Sequence, residues 1–171
     1  MKKNALQKFR KTIPPVPASV WRNPWHFIAF GFGSGTLPVA PGTFGTLMAI
    51  PFYLLLQDLP LPLYLGLVFL LAWGATVLCD RVEKELSVHD HPGMCVDEII
   101  GYLITMIHAP RGLLWLVLGF LLFRLFDIWK PWPIRQVDQQ VSGGFGVILD
   151  DALAGLYSFL GIQLIYFILN R

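Results

Sequence analysis

Phe123-Arg124-Leu125-Phe126-Asp127-Ile128-Trp129-Lys130-Pro131-Trp132-Pro133 closes an apolar run that begins at Leu113. Arg124, Asp127 and Lys130 are spaced by three. At about 100° per residue they fall on one helical face, spread over roughly 120°. Three charges on one stripe of a membrane-type helix are costly unless they meet partners or a ligand. Two cations flanking one carboxylate suggest an anion site that a metal ion shares. Lys130-Pro131 ends the helix, because proline cannot continue it and restricts the residue before it.

Outward from this stretch the composition is that of a membrane protein. Of 171 residues, 55% are hydrophobic and 14% charged, against about 25% charged in soluble domains. Mean hydropathy is +0.59. The reading is an all-α, small polytopic helical bundle in a membrane, with a Gly-rich cytoplasmic loop. Crossings are expected at about 44–58, 63–79, 96–109, 113–129 and 150–169. Cys79 and Cys95 have neither CxxC nor zinc spacing, so they are read as reduced thiols on the cytoplasmic side.

Residues 1–25 form the first expected unit, a mobile, basic, Pro-rich cytoplasmic tail. Lys2, Lys3, Lys8, Arg10, Lys11 and Arg22 precede the first apolar run with no acid among them. Anionic headgroups and the positive-inside rule explain these charges better than nucleic acid does. Trp21 and Trp25 are expected to face lipid. No signal-peptide pattern is read at this end. Residues 26–171 form the second unit, the membrane-embedded domain.

Gly31 to Thr46 carries five glycines, two prolines and four hydroxyl residues. That cannot be an ordinary spanning helix. It reads as a compact loop leading into a helix near Thr43 or Phe44, with backbone N–H groups suited to phosphate. No Gly-Lys-Ser/Thr follows, so it is not a P-loop. Asp80 to Pro92 reads as a polar loop, with His89 and His91 solvated rather than ligating. Trp132 to Gly146 reads as a further loop.

Acidic pairs open two later apolar segments: Asp97-Glu98 before Gly101, and Asp150-Asp151 before Gly155. Acids favour a helix N-terminus for purely structural reasons. Two pairs together with Asp127 carry more weight. In the five-crossing topology ten of the eleven acids share one face, with Asp58, Arg111 and Arg171 on the other. Asp80, Asp97, Glu98, Asp127, Asp150 and Asp151 would raise one another's pKa values if they gathered uncompensated. A divalent cation removes that conflict, and an all-oxygen set favours Mg²⁺, or else Mn²⁺ or Ca²⁺, over zinc. Beside Arg124, Lys130 and a Gly/Thr loop, such a cation suits a phosphorylated substrate. At a membrane surface that substrate is a lipid. Cys-x₅-Arg, Asp-x-Asp, the Ser-Gly-His lipid-phosphatase core and the Asp-Gly-x₂-Ala-Arg pattern of CDP-alcohol transferases are all missing.

Four stretches in this order resemble the phosphatidylglycerophosphatase A family: Gly31–Gly35 with Ala40–Thr46, Val96–Gly101, Phe123–Pro133, and Gly143–Gly155. The resemblance covers roughly residues 27–165. It implies an all-α, Mg²⁺-dependent phosphatase of the bacterial inner membrane, multi-pass, with a cytoplasmic active site. It would hydrolyse phosphatidylglycerophosphate to phosphatidylglycerol and inorganic phosphate. On this reading Asp97, Asp127, Asp150 and Asp151 hold the metal. Glu98 is a further ligand or a base, and Asp80 a second candidate base. Arg124 and Lys130 grip the phosphate, helped by Ser34, Thr43 and Thr46. Membrane lipids are expected partners, nucleic acid is not, and the oligomeric state stays open. Two alternatives remain: a small cation-binding transporter or channel, and another lipid phosphoryl-transfer enzyme.

Overall fold

The computed structural model describes residues 15–88 and 91–171. The basic stretch up to Lys11, His89 and Asp90 lie outside them. Among the described residues there are seven α-helices and no strand: α1 (Pro24–Ala29), α2 (Pro41–Leu56), α3 (Leu61–Leu86), α4 (Val96–Thr105), α5 (Leu113–Trp129), α6 (Ile134–Gln140) and α7 (Gly143–Leu169). Short 3-10 turns cover Ala18–Trp21 and Gly31–Thr36.

Several boundaries differ from the expectations, each for a local reason. Helix α2 begins at Pro41 rather than Thr43, because a first-turn proline has no N–H to waste. Gly31–Thr36 is a 3-10 segment kinked at Phe32 and Gly33, both at positive φ. Helix α3 does not stop where its apolar run stops at Cys79. It continues through Asp80-Arg81-Val82-Glu83-Lys84-Glu85-Leu86, of which Arg81, Glu83, Lys84 and Glu85 favour a helix about as well as leucine does. The expected loop 132–146 contains α6. Helix α7 starts at Gly143, so Asp150 and Asp151 lie two turns inside it rather than at its start.

Helix α4 corrects the topology most. It has ten residues, about 15 Å at 1.5 Å per residue, too short for a hydrocarbon core of roughly 30 Å. Eight of the ten are buried. Helix α4 is the central strut of the fold, packed on α7, α2 and α3. Two helices, α3 and α7, are long and apolar enough to cross a membrane, and only 22% of each apolar window is buried within the protein. Their apolar side chains therefore point mostly outward, Phe69 and Leu70 of α3 and Leu164 and Phe167 of α7 among them.

The α4–α7 crossing is close because it is built on glycine. A Cβ on Gly155 would stand 2.4 Å from the Gly101 carbonyl oxygen, and one on Gly101 would meet the Phe123 ring at 2.4 Å and the Asp151 carbonyl at 2.8 Å. Small residues let helix backbones approach in this way. Thr105 Oγ1 donates to the Gly101 carbonyl at 3.0 Å. The approach sets Asp97 and Glu98 of α4 against Asp151 of α7.

Packed structure also begins earlier than residue 26. Val20 is fully buried, Asn23 Oδ1 caps α1 by accepting from the Trp25 N–H, and Asn23 Nδ2 donates to Glu85 at 3.3 Å. Trp21 and Trp25 are exposed, with the Arg81 guanidinium 5.1 Å from the Trp25 ring. His91 is not solvated. It is buried beside the Phe30 ring, and its Nδ1 accepts from the Gly93 N–H at 3.0 Å. Cys79 and Cys95 are buried and form no disulfide. At the far end of α3, Arg111 is paired with Asp58, apart from the other acids.

Candidate active site

The first turn of α4 presents Asp97 and Glu98, where the helix dipole favours acids. The last two turns of α5 present Arg124 and Asp127. The second and third turns of α7 present Asp150 and Asp151. A cavity of about 170 Å³ lies among them, lined by Asp97, Glu98, Asp127, Lys130, Asp138, Asp150 and Asp151, with Pro92, Met94 and Val147 among its apolar walls.

Its carboxylates fall into three groups, the first two joined by a hydrogen bond between Asp151 and Asp127. Asp97, Glu98 and Asp151 each bring an oxygen within 4.8 Å of the others. Asp127 Oδ2 lies 2.5 Å from Arg124 Nη1, which also faces Glu98 at 3.8 Å. The sequence spacing of Arg124 and Asp127 thus becomes a real pair. Lys130 Nζ donates to Asp138 Oδ1 at 2.5 Å and to Asp150. Lys130 is the α5 C-cap, in the left-handed region at φ 46 with Pro131 behind it. The chain therefore turns at this lysine and aims it back over α7.

Electrostatics in the first group are unfavourable as they stand. Burial pushes the Glu98 carboxyl up to about 8, and the Asp151 charge pushes the same way. Glu98 Oε2 and Asp151 Oδ2 are buried with no hydrogen-bond partner. Buried carboxylate oxygens without donors are expensive. An oxygen-only set with orphaned acceptors suits a hard divalent cation such as Mg²⁺. In the third group burial works against the Lys130 charge, but its bonds to Asp138 and Asp150 outweigh that and raise its pKa.

The remaining expected residues sit elsewhere. Asp80 does not line the cavity. It accepts the Gly144 N–H at 2.5 Å and so caps the N-terminus of α7 from a neighbouring helix. Ser34 Oγ donates to the Gly31 carbonyl at 2.8 Å, and Thr46 Oγ1 to the Gly42 carbonyl at 2.9 Å. Thr43 lies in the first turn of α2. None of the three hydroxyl residues lines the cavity. The Gly-rich segment instead contributes a close approach: a Cβ on Gly42 would fall 2.1 Å from Glu98 Oε1 and 3.1 Å from Arg124 Nη1. Asp138 was not among the expected site residues. Nothing in its spacing marks it, since only α6 folding back over α7 brings it to Lys130.

The model of a family described as Phosphatidylglycerophosphatase A matches residues 27–166. A protein of Escherichia coli (strain K12) named Phosphatidylglycerophosphatase A is 46% identical over 147 residues, covering 85% of this chain and 84% of its own. One of Haemophilus influenzae with the same name is 39% identical over 138 residues, 80% of this chain and 85% of its own. A Bacteroides thetaiotaomicron protein provisionally named a phosphatidylinositol-3-phosphatase is 37% identical over 141 residues, 78% of this chain and 87% of its own. No solved structure matches the chain.

Proposed function

The chain belongs to the phosphatidylglycerophosphatase A family, and we propose that it hydrolyses phosphatidylglycerophosphate to phosphatidylglycerol and inorganic phosphate with a divalent cation, Mg²⁺, bound in the α4–α5–α7 cavity. The observation that carries the reading is the buried triple of Asp97, Glu98 and Asp151, with an oxygen on two of them left without a donor. Asp97, Glu98 and Asp151 would hold the ion, which when bound supplies Lewis-acid polarisation of a phosphoryl oxygen and a more acidic water.

The rest of the chemistry falls to the chain's own groups. Lys130 lines the cavity and faces the phosphate, holding its charge before and during transfer. Arg124 holds Glu98 and Asp127 in place from behind, since it does not line the cavity. The Asp127 carboxylate, held at the cavity wall by Arg124, takes the proton of the attacking water. Asp150 fixes Lys130.

The protein acts at a membrane. Helices α3 and α7 carry mostly outward apolar side chains, a surface that water would not support at this extent. The antiparallel pair brings Asp80 and the Asp150-Asp151 turn to one end and Asp58 and Arg111 to the other. We place the cavity end on the cytoplasmic side of a bacterial inner membrane.

The test is phosphate release by the detergent-purified full chain from phosphatidylglycerophosphate and from phosphatidylinositol 3-phosphate, each with Mg²⁺ and with EDTA. Release from the first substrate that stops with EDTA is the expected result. Release from the second alone would move the substrate assignment, and release that survives EDTA would remove the metal.

Asp80 serves this site as a positioning residue. Asp80→Asn keeps an oxygen for the Gly144 N–H and should leave kcat/KM within about threefold of the parent. Asp80→Ala removes the cap, and losing a cap costs about 1 kcal/mol. Its melting temperature and kcat should both fall. If the Asn variant were as inactive as the Ala variant, Asp80 would be acting chemically.

A further inference from the structure

We infer that this site takes one divalent cation, and that the Lys130 ammonium supplies the second positive charge that a two-ion phosphatase draws from a second metal. The inference rests on the cation-dependent reading above. Two-ion sites hold their metals about 3.5–4 Å apart and need carboxylates for both. Six carboxylates line this cavity, yet only Asp97, Glu98 and Asp151 gather as a ligand set among the described residues. Asp127 is engaged by Arg124 and by a hydrogen bond with Asp151 of the triple, so it adjoins the first ion rather than making a second site. The two that a second ion would draw on, Asp138 and Asp150, both close on Lys130 Nζ.

Lys130 is also held where it stands. Its backbone is fixed by the left-handed C-cap and the proline behind it, and its side chain is only 25% exposed. A lysine ammonium is a compact point charge with three donors. Two are spent on Asp138 and Asp150, which leaves one for a phosphoryl oxygen. Mg²⁺ keeps several waters and needs few carboxylates, so the triple suffices for one ion.

Mn²⁺ titration of the detergent-solubilised full chain, followed by electron paramagnetic resonance and by metal analysis after desalting, reads the count directly. We expect one Mn²⁺ per chain with no Mn–Mn dipolar broadening. Lys130→Met releases Asp138 and Asp150 and should raise the count to two. Lys130→Met with Asp150→Asn should return it to one, and Lys130→Arg, which keeps the charge, should stay at one. Two ions in the parent protein would overturn the inference and leave the metal reading standing. No bound ion would overturn both. A count that stays at one in Lys130→Met would show that the lysine does not hold a cation's place.

Discussion

Asp151→Asn should lower kcat by about two to three orders of magnitude, the scale seen when one preorganised charge-stabilising group is lost, while making the metal-free protein more stable. The substitution keeps shape and volume and removes one charge. Asp151 is 4% exposed, lies in a group of three gathered carboxylates, and has one oxygen with no donor. Without a cation that charge is a cost, so removing it should raise the melting temperature in EDTA. With a cation the sign reverses. A ligand that binds only the folded state stabilises it by RT ln(1 + [L]/Kd), about 2.7 kcal/mol at a hundred times Kd. Mg²⁺ should therefore raise the parent's melting temperature and leave that of Asp151→Asn nearly unmoved. Thermal melts with Mg²⁺ and with EDTA, run beside phosphate release, separate the possibilities. Asp138→Asn is the control. Asp138 is partly exposed and exposed pairs contribute little, so stability should change by less than about 1 kcal/mol. An Asp151→Asn protein with full Mg²⁺-dependent turnover would remove Asp151 from the site.

What the sequence disclosed and what it withheld follow from the range of the forces involved. That Arg124 and Asp127 share a face is legible because i, i+3 neighbours on a helix meet whatever the rest of the chain does, but the sequence assigns them to phosphate and metal, whereas Arg124 pairs with Asp127 and lies off the cavity. The acidic pairs at Asp97-Glu98 and Asp150-Asp151 were legible as costs needing a remedy, since their neighbours are apolar. Their regrouping was not. Glu98 gathers with Asp97 and Asp151 while Asp150 turns to Lys130, because that choice depends on how α4 and α5 cross α7. Asp80 looked like a site acid by the same rule, and its real partner is a backbone N–H 64 residues away. Helix ends were misplaced where hydropathy was used to mark them. Helix α3 outlasts its apolar run by seven residues and α4 falls short of its own, since apolar length reports the surroundings of a segment and not where its hydrogen bonds stop. The polar neighbours of His91 suggest a solvated ring, yet it is buried against Phe30.

Gly155→Ala should cost both stability and activity, although alanine is the better helix former. In an open helical position the exchange stabilises by up to about 1 kcal/mol. At Gly155 the new Cβ would lie 2.4 Å from the Gly101 carbonyl oxygen and 3.1 Å from the Ile104 Cβ. The first of these is backbone, so no rotamer change relieves it, and α4 and α7 must part. Overpacking of this kind costs about 1–3 kcal/mol, which exceeds the propensity gain, so the net sign is destabilising. The larger effect is on the site. Asp97 and Glu98 ride on α4 and Asp151 on α7, and a misplacement of about 1 Å is worth roughly a hundredfold in rate. We therefore expect kcat to fall about a hundredfold and the Mg²⁺-induced rise in melting temperature to shrink with it. Gly74→Ala supplies the opposite sign within the same fold. A Cβ there meets nothing within 4 Å, so that variant should melt at or above the parent temperature with unchanged turnover. Phosphate release and melts on the two variants together decide the matter. If Gly155→Ala matched Gly74→Ala in both, the α4–α7 contact would be looser than drawn, and the carboxylate triple would owe its geometry to something other than the glycine crossing.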